Sequence, residues 1–599
     1  MCGIVAGTST SAISSSLIKG LHYLEYRGYD SAGLTLQTTD SSLTTYKTVG
    51  KVAALEAIVP TTSAATTGIA HTRWATHGVV SKNNAHPHIS HNRVAIVHNG
   101  IIENFTTLRA ELVATGYTTV SETDSEVIAH AIHHHLADSG DFFQAFCQTI
   151  AKLQGSFAIA AIDSTQPDVI YAVTKDSPLV IGLGMESNYI ASDQIALLEQ
   201  TNRFIYLDNG DLAILRPDSV TVYDAACQPK NPAVVTTDIP VNTRTLQGHK
   251  HYMHQEIHYQ LPMVEQLVKR PLFTEPALCD LLRSVKQVKM IACGTSHHAA
   301  QVAQYWLETY AQIDASVHIA SEYRYRTHTH HAKTLCIFIS QSGETADTLA
   351  AMRASSGQLA CIGIGNEAHS TMAREADHFL HIEAGREIGV ASTKAFTAQL
   401  LTLLQLTLSI ATAQQVNHAI VEEIQAALPS LPTAIEAALA QESEIAELAR
   451  SLTHSNNIIF LGRHTHYAIA QEGALKLKEL SYINANAYAA GELKHGPLAL
   501  VDSSIQVVYL LPDNFLLEKN LSNLEEIEAR DGNIIALADQ GIEGRLKSSV
   551  KRLILGKTHP TLSPILHNIP LQLLAYYVAL YKGHDVDQPR NLAKSVTVE

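Results

Sequence analysis

The chain has 599 residues, of which 46% are hydrophobic and 17% charged, a balance typical of a globular protein and not of a disordered one. Its formal net charge of −15 argues against nucleic acid as a standing partner, because phosphate binding needs concentrated Lys and Arg. A single hydrophobic core rarely organises a chain of this length, so we expect several domains.

Three features of the sequence bear on its cellular compartment. The first residues lack the basic segment and apolar stretch of a secretory signal. The longest apolar stretches, 400–410 and 569–581, are interrupted by polar residues or are too short to span a bilayer, and they predict buried helices. The seven cysteines show no paired spacing, which is typical of a reducing compartment. We therefore expect a cytoplasmic protein with no membrane partner.

The first part of the chain, residues 2–240, has short β-rich runs between Gly, Asn and Asp turns, mixed with a few helices. This pattern predicts an α+β domain with antiparallel sheets. The segment 241–284 that follows is polar, rich in histidine and interrupted by proline, and it predicts a linker between domains.

The second part of the chain alternates apolar strands with longer helical stretches, and small residues follow each strand. That alternation predicts a doubly wound α/β arrangement. An apolar strand followed by a glycine turn occurs at 291–296 and again at 459–464. The repeat predicts two similar subdomains, 285–425 and 450–585, and leaves 586–599 as a C-terminal tail.

Cys2 follows the initiator methionine directly, and a small side chain there generally permits removal of Met1. The residue would then carry a thiol and a free α-amine, whose pKa of about 7.7–8.0 lets it act as the general base for its own nucleophile. A second-position cysteine that is there by chance is the competing interpretation.

Three further segments of the first domain have side chains suited to an amino-acid substrate. Arg73, on a polar loop, has the planar fork that binds a carboxylate. The Asn99 amide and the Gly100 backbone N–H can stabilise an oxyanion, and Asp124 can bind an ammonium group. Each has an ordinary alternative, namely a surface Arg-Trp stack, an Asn-Gly turn and a helix N-cap.

Together these segments resemble the glutaminase domain of the N-terminal-nucleophile amidotransferases, which has an αββα fold. The resemblance rests on 2–7, 27–33, 71–78 and 98–100, all in family order. It implies that Cys2 attacks the glutamine amide and that Asn99 and Gly100 hold the oxyanion. It also implies a set of glutamine-binding residues: Arg73, Trp74, Thr76, His77 and Asp124.

The second part of the chain has a candidate phosphate site in Ser340-Gln341-Ser342-Gly343-Glu344-Thr345. Hydroxyls and backbone N–H groups that follow a strand and precede a helix suit a phosphate monoester. A Ser-Gly turn with an N-cap is the alternative. The segment is similar to the sugar-phosphate loop of the sugar isomerase (SIS) family, and 293–296 fits that family's first strand-to-helix turn.

Glu472, Lys476 and Glu479 recur at i, i+4 and i+7 and therefore share one face of a predicted helix. Ion pairs on a solvated helix are the alternative. A glycine-bounded loop follows with His495, and the tail carries Lys594.

Over residues 2–599 the chain resembles the family of amidotransferases that transfer glutamine nitrogen to D-fructose 6-phosphate and release D-glucosamine 6-phosphate, the first step of hexosamine synthesis. The resemblance implies that His495 assists ring opening, that Lys594 forms a Schiff base at C2 and that Glu479 moves the proton between C1 and C2. It implies no cofactor and no metal. The implied sugar-phosphate residues are Ser296, Ser340, Gln341, Ser342, Thr345, Val390, Ser392 and Lys476.

The same resemblance implies a homodimer or larger homo-oligomer in which a neighbouring subunit supplies His495. It also makes Trp74 the gate of an ammonia channel between the two sites. One position departs from the family pattern, because His464 stands where a further glycine is expected after Gly462-Arg463.

Three alternative functions make testable demands on the sequence. An amidotransferase acting on phosphoribosyl pyrophosphate would need an acidic pair before a Thr-rich loop, and none is found. A sugar-phosphate sensor would leave Glu479, His495 and Lys594 without a purpose. A metal enzyme would need partners for the histidines at 130–135, which instead predict a solvated, His-rich helix, and His328, His330 and His331 predict a surface loop.

Overall fold

The computed structural model describes residues 2–38, 40–61, 63–237, 246–327, 332–355 and 358–597. It divides into two compact units, unit 1 with residues 1–244 and 595–599 and unit 2 with residues 245–594. The expected end of the first domain at residue 240 and the histidines at 328, 330 and 331 lie outside the described residues.

Unit 1 contains two antiparallel sheets. The first has the order β15-β11-β9-β10-β1-β4-β2-β3 and the second the order β14-β13-β12-β8-β7-β6-β5. The strands are β1 (Gly3–Ser9), β2 (Ser31–Gln37), β3 (Leu43–Val49), β4 (Thr67–Arg73), β5 (His88–Ser90), β6 (Val94–Ile102), β7 (Gly155–Asp163), β8 (Ile170–Lys175), β9 (Val180–Leu183), β10 (Ser187–Ala191), β11 (Arg203–Tyr206), β12 (Leu212–Leu215), β13 (Val220–Tyr223), β14 (Pro229–Lys230) and β15 (Val235–Thr236). The helices are α1 (Ser14–Leu24), α2 (Val52–Glu56), α3 (Phe105–Ala114), α4 (Glu126–Ser139) and α5 (Phe142–Ile150).

The layers of unit 1 follow from the alternation of side chains along its strands. On β1, Ile4 enters the core between the two sheets, whereas Val5 enters the core beneath α1. On β6, Val97 faces the other sheet and Ile96 packs with α4. Unit 1 therefore has helices outside two packed sheets, and the predicted α+β αββα sandwich is confirmed.

Unit 2 contains two parallel sheets, with the orders β17-β16-β18-β19-β20 and β22-β21-β23-β24-β25. The strands are β16 (Gln287–Ala292), β17 (Asp314–Ile319), β18 (Thr334–Ile339), β19 (Ala360–Gly365), β20 (His378–His381), β21 (Asn457–Gly462), β22 (Asn484–Ala489), β23 (Gln506–Leu511), β24 (Asn533–Asp539) and β25 (Lys551–Leu555). The helices are α6 (Tyr252–Leu267), α7 (Pro276–Ser284), α8 (Gly294–Trp306), α9 (Ala320–Tyr323), α10 (Ala346–Ala354), α11 (Thr371–Glu375), α12 (Lys394–Ala413), α13 (His418–Ala427), α14 (Leu431–Leu439), α15 (Glu442–Arg450), α16 (Thr465–Ser481), α17 (Leu517–Glu528) and α18 (Ser563–Tyr581).

The two sheets of unit 2 have the same strand order, in which the second strand along the chain lies outside the first. In both, the order reverses between the first and third strands, and ligands of such folds bind at the carboxyl ends there. One continuous core, lined by helices such as α12, α16 and α18, joins the two sheets. The predicted pair of doubly wound α/β subdomains is confirmed.

The segment expected as a linker is a structural part of unit 2. Over 252–284 it forms α6 and α7, and Met253, Ile257 and Val264 of α6 are buried in the main core. Pro262 lies inside α6. The proline and the polar residues suggested a break, but the apolar residues at helical spacing and the burial they gain decide the conformation.

The two apolar stretches form α12 and α18, as predicted. Among the described residues, one helix, Lys394–Ala413, is long and apolar enough to cross a membrane by length and composition, and 94% of its apolar window is buried inside the protein. α12 and α18 both pack in the central core of unit 2.

His464, at the turn after β21, has a backbone conformation that favours glycine, with φ +57° and ψ −134°. Its ring packs on Tyr305 with centroids 3.9 Å apart. Replacing His464 by Ala removes the ring and keeps the strain, whereas Gly removes both. We expect His464→Gly to be about 1 kcal/mol more stable than His464→Ala, reversing the usual order of these residues. Thermal unfolding checks this, and a less stable Gly variant would contradict it.

Candidate active sites

Cys2 lies immediately before β1, next to the end of β4. Because β1 and β4 are antiparallel with Gly3 opposite Thr72, the chain after β4 passes beside the thiol. The Trp74 backbone N–H donates to Cys2 Sγ at 3.3 Å, and the Trp74 carbonyl lies 3.5 Å from the same atom. The residue that follows β4 therefore fixes the position of the candidate nucleophile.

Arg73 is the last residue of β4 and is 3% exposed, so it is not the surface stack considered as an alternative. Its guanidinium donates to the carbonyl oxygens of His77, Gly78 and Val79, the last two at 3.3 and 3.4 Å. Burial lowers the pKa of Arg73, although nearby acids oppose that effect. Arg73 therefore orders the loop that carries Thr76 and His77.

Asn99 and Gly100 lie within β6 and not in the turn that their sequence suggests. Gly100 has φ +125°, and a Cβ there would meet the Ser156 carbonyl oxygen at 2.0 Å, so both conformation and space require glycine. The buried Asn99 carboxamide oxygen has no hydrogen-bond partner among the described residues. A buried polar atom without a partner costs about 1–3 kcal/mol, and a water molecule or a substrate N–H can supply the partner here.

Asp124 is buried ahead of α4, but it does not cap that helix. Its carboxylate accepts from the Ile102 backbone N–H at 2.8 Å and from the Ser125 hydroxyl at 3.2 Å. Burial raises the pKa of the Cys2 thiol, the charge of Arg73 lowers it and the charge of Asp124 raises it. The thiol, the guanidinium and the carboxylate are therefore close enough to interact electrostatically.

Two residues of the 27–33 motif support this site, although no role was predicted for them. Asp30 Oδ2 accepts from the Ala75 backbone N–H at 2.9 Å, which supports the loop after β4. The Tyr29 ring packs edge-on against Trp74 with centroids 5.8 Å apart. The feature of the sequence that could have identified Tyr29 and Asp30 is their position in a Gly-rich motif between α1 and β2.

The first candidate ligand site of unit 2 is the loop between β18 and α10. Because β16 and β18 are adjacent parallel strands, this loop and the start of α8 leave the same edge of the sheet. The Ser340 and Thr345 hydroxyl oxygens lie 2.8 Å apart, and the Ser342 hydroxyl accepts from the Glu344 backbone N–H at 3.2 Å. Gln341 is half-buried in the same loop.

The loop also forms the Ser-Gly turn that was considered as an alternative, since the Gly343 N–H donates to the Ser340 carbonyl oxygen at 3.2 Å. Thr345 is the N-cap residue of α10, but its side chain makes no capping bond. Among the described residues, the N-cap side chain therefore does not occupy the N-terminal N–H groups of α10, which favours an anion there.

Glu472, Lys476 and Glu479 share one face of α16, as predicted, but that face is buried and not solvated. Lys476 is 1% exposed, and its Nζ lies 3.5 Å from Glu472 and 2.6 Å from Glu479. Burial opposes the charge of Glu472, yet Lys476 and His298 lower its pKa below the ordinary value. Glu472 also joins α16 to α8, because it accepts from the Thr295 hydroxyl at 3.0 Å and lies 2.7 Å from Nδ1 of His298.

Lys594 of the tail forms an ion pair with Glu387, and both side chains are almost fully buried. Glu387 also accepts from the Thr393 and Ala395 backbone N–H groups, at 2.9 and 3.1 Å, at the start of α12. Burial raises the pKa of Glu387, but Lys594 and these hydrogen bonds lower it below the usual value. The charge of Glu387 in turn raises the pKa of Lys476, which brings the tail and α16 into one electrostatic cluster.

Glu256, Glu387 and Lys394 belong to this cluster but were not selected from the sequence. Glu256 accepts from the backbone N–H groups of Ile388 and Gly389. Burial and the charge of Glu387 raise the pKa of Glu256 to about 8. Glu256 was not selected as a site residue because it lies in the segment 241–284, which was predicted to be a linker.

The remaining residues predicted for the sugar-phosphate site lie in different environments. The Ser296 hydroxyl accepts from Gln399 at 3.0 Å, Val390 is buried with its N–H bonded to the Asp587 carbonyl oxygen at 3.0 Å, and Ser392 is half-buried nearby in the chain. His495 is exposed at the end of the short 3₁₀ helix Ala490–His495. None of the described contacts joins His495 to Lys594 or Glu479 within the chain.

The helix predicted as solvated and His-rich is α4, and that prediction is wrong. His130 and His135 are buried, and their Nδ1 atoms lie 2.9 Å from the Ser90 hydroxyl and 3.0 Å from the Thr149 hydroxyl. These histidines belong to the core of unit 1.

Comparisons with known proteins agree with the two-part architecture. A model described as "Glutamine amidotransferase domain" matches residues 71–199, and the SIS domain model matches 281–409 and 451–582. Two relatives, from Idiomarina loihiensis and Escherichia coli (strain K12), are named glutamine–fructose-6-phosphate aminotransferase [isomerizing] and are 47% and 46% identical, each over 100% of both chains. The solved C-terminal domain of glucosamine-fructose-6-phosphate aminotransferase from Francisella tularensis is 42% identical with a TM-score of 0.57, covering 58% of this chain and 100% of that one.

Proposed function

The chain belongs to the family of isomerizing glutamine–fructose-6-phosphate aminotransferases, and from this premise we propose that it converts D-fructose 6-phosphate and L-glutamine to D-glucosamine 6-phosphate and L-glutamate. The observation that carries the proposal is identity of 47% over the whole length of a relative with that name. The reaction supplies the amino sugar from which hexosamine synthesis proceeds.

In unit 1, Cys2 is the nucleophile that attacks the amide carbon of glutamine. Its α-amine, free after removal of Met1, takes the thiol proton and returns it to the departing ammonia. Asn99, through its carboxamide N–H group, and Gly100, through its backbone N–H, stabilise the oxyanion, and the glycine-only position at 100 supports this role. Water then hydrolyses the thioester and releases glutamate.

Glutamine is held by its charged ends. Arg73 binds the α-carboxylate and Asp124 the α-ammonium, and the electrostatic coupling of both residues to the thiol supports this arrangement. Trp74, Thr76 and His77 line the loop after β4 that Arg73 orders. Trp74 also gates the passage of ammonia, which must stay unprotonated and shielded from water to react.

In unit 2, the loop 340–345 binds the phosphate through the hydroxyls of Ser340, Ser342 and Thr345 and the amide of Gln341. Ser296, Val390, Ser392 and Lys476 surround the sugar. Lys594 forms an imine at C2, and its buried position supports this role because water is excluded from the bond. Ammonia then attacks the imine carbon and displaces the Lys594 amine, which leaves an imine to ammonia at C2. Glu479 transfers the proton between C1 and C2.

His495 opens the sugar ring in the site of a neighbouring subunit, so the active form is a homodimer or a larger homo-oligomer. Its exposure within the single chain supports this assignment. The reaction takes place in the cytoplasm, and the seven free cysteines support that location. No metal or cofactor takes part in the steps described.

The direct experiment measures glucosamine 6-phosphate and glutamate after incubation of the purified chain with glutamine and fructose 6-phosphate. We expect equal amounts of the two products. Other sugar phosphates are tested in parallel. Formation of glutamate without amino sugar from fructose 6-phosphate would show that the acceptor is wrong and the glutaminase assignment right.

Thr345→Val tests the phosphate loop. The change removes one hydroxyl and keeps the shape of the side chain, so we expect the KM for fructose 6-phosphate to rise about 10- to 100-fold with little change in kcat. Thr348→Val is the matched control, because Thr348 is fully buried on the next turn of α10 and cannot touch a ligand. Equal effects of both substitutions on KM would assign the loss to packing and not to phosphate binding.

A further inference from the structure

Three histidines converge where α6 begins. His254 and His258 are one helical turn apart on α6, and His249 precedes the helix. One ring nitrogen of each lies within 4.8 Å of the other two, and the Nδ1 atoms of His249 and His254 are 2.8 Å apart. All three side chains are half-buried, so the cluster is enclosed but still reachable from solvent.

A single carboxylate fixes two of these rings. Glu442, the first residue of α15, has Oε1 at 2.6 Å from Nε2 of His254 and Oε2 at 3.0 Å from Nε2 of His258. The Tyr577 hydroxyl donates to the same carboxylate. In a neutral imidazole whose Nε2–H is donated, Nδ1 carries the lone pair, so Glu442 selects the tautomer in which both rings present Nδ1 as an electron donor.

A carboxylate that receives the outer N–H of a metal-binding histidine is the usual second layer of such sites. Histidines at i and i+4 on a helix are a common pair of metal ligands, and a third from a neighbouring segment completes a set of three.

We propose that His249, His254 and His258 bind a divalent transition metal ion of the zinc class, with Glu442 as the carboxylate that orients the ligands. Imidazole nitrogen suits Zn²⁺, Ni²⁺ and Cu²⁺, whereas Mg²⁺ and Ca²⁺ prefer oxygen. Three nitrogens leave a fourth tetrahedral position for water.

The site has a structural role in unit 2. Asp587 accepts from the Tyr252 and Met253 backbone N–H groups at 3.0 and 2.8 Å, so the same start of α6 anchors the tail that carries Lys594. Further along α6, Glu256 holds the backbone at Ile388 and Gly389. The metal ties His249 to the helix and, through Glu442, ties α6 to α15, which stabilises the support of the sugar site without touching the substrate.

The test is calorimetric titration of the metal-stripped full-length chain with Zn²⁺. A second titration uses Mg²⁺, which a site of nitrogen ligands should not bind. The experiment uses a Cys2→Ala background so that the thiol contributes no site. We expect one Zn²⁺ per chain, no Mg²⁺ binding, loss of the Zn²⁺ site in the double variant His254→Gln, His258→Gln, and about 10- to 100-fold weaker binding in Glu442→Gln.

His134→Gln is the matched control, because His134 lies one turn from His130 on α4 but outside the cluster, and it must keep the wild-type Zn²⁺ affinity. His249→Gln, which changes no helical residue, serves as a second variant if the double variant does not fold. Thermal unfolding provides a second readout, in which Zn²⁺ raises the melting temperature of the control but not of the cluster variants. Equal Zn²⁺ affinity in the control and both sets of cluster variants would overturn the proposal.

Discussion

Replacement of Cys2 by alanine is expected to lower glutamine hydrolysis by at least about 10,000-fold and to abolish glutamine-dependent formation of glucosamine 6-phosphate. Loss of a covalent nucleophile costs this much because the remaining groups bind the substrate but cannot form the thioester. Half-buried Cys2 is held by the Trp74 backbone, so the smaller side chain should leave the fold intact. Coupled assays of glutamate and of amino sugar check both activities.

Cys147→Ala is the matched control for this experiment, because Cys147 is another half-buried free cysteine of unit 1, lying 2.9 Å from Cys227 and assigned no role here in catalysis. It should keep glutamine hydrolysis within about twofold. Mass spectrometry of the wild-type protein should also find Cys2 as the first residue. An active protein that retains Met1 would leave the thiol as nucleophile but remove the α-amine as its base.

The proposed glutaminase residues could be selected from the sequence because they occur in short, ordered segments, and the ends of neighbouring strands bring several of these segments together. The ordinary alternatives at Arg73, Asn99 and Asp124 do not hold, because Arg73 is buried, Asn99 lies inside β6 and Asp124 makes no capping bond to α4. All three side chains are also only 3–5% exposed. Burial depends on the neighbouring elements, and local sequence does not specify it.

The same limit explains the residues that the sequence analysis missed in unit 2. The face of α16 with Glu472 and Lys476 follows from helical spacing, but its burial against α8 requires contacts between residues about 177 positions apart. Glu256 and Glu387 become part of the site only because the tail returns to α6 and α12. The linker was mispredicted because Pro262 and the histidines outweighed a helical apolar pattern.

Lys594→Arg is expected to abolish amino sugar formation, with a loss of at least about 1,000-fold, while glutamine hydrolysis in unit 1 stays within about threefold. Arginine keeps the positive charge that Glu387 needs, but its guanidinium stays protonated and cannot form an imine. Alanine is the poorer choice, because it would leave the buried Glu387 carboxylate unpaired at a cost of about 3–5 kcal/mol. Borohydride reduction in the presence of fructose 6-phosphate should add the sugar mass to the wild-type chain and not to the variant.

Lys394→Arg is the matched control, and it also decides between two candidates for the imine. Lys394 is buried in the same cluster, with its Nζ 4.5 Å from the centre of the Tyr259 ring, and burial lowers its pKa, which favours an uncharged nucleophilic amine. We nevertheless expect Lys394→Arg to keep amino sugar formation within about tenfold, because Lys394 is held at the start of the long buried helix α12 and against the Tyr259 ring. Loss of the borohydride adduct in the Lys394 variant, with retention in Lys594→Arg, would move the imine to Lys394 and leave Lys594 as the counter-charge of Glu387.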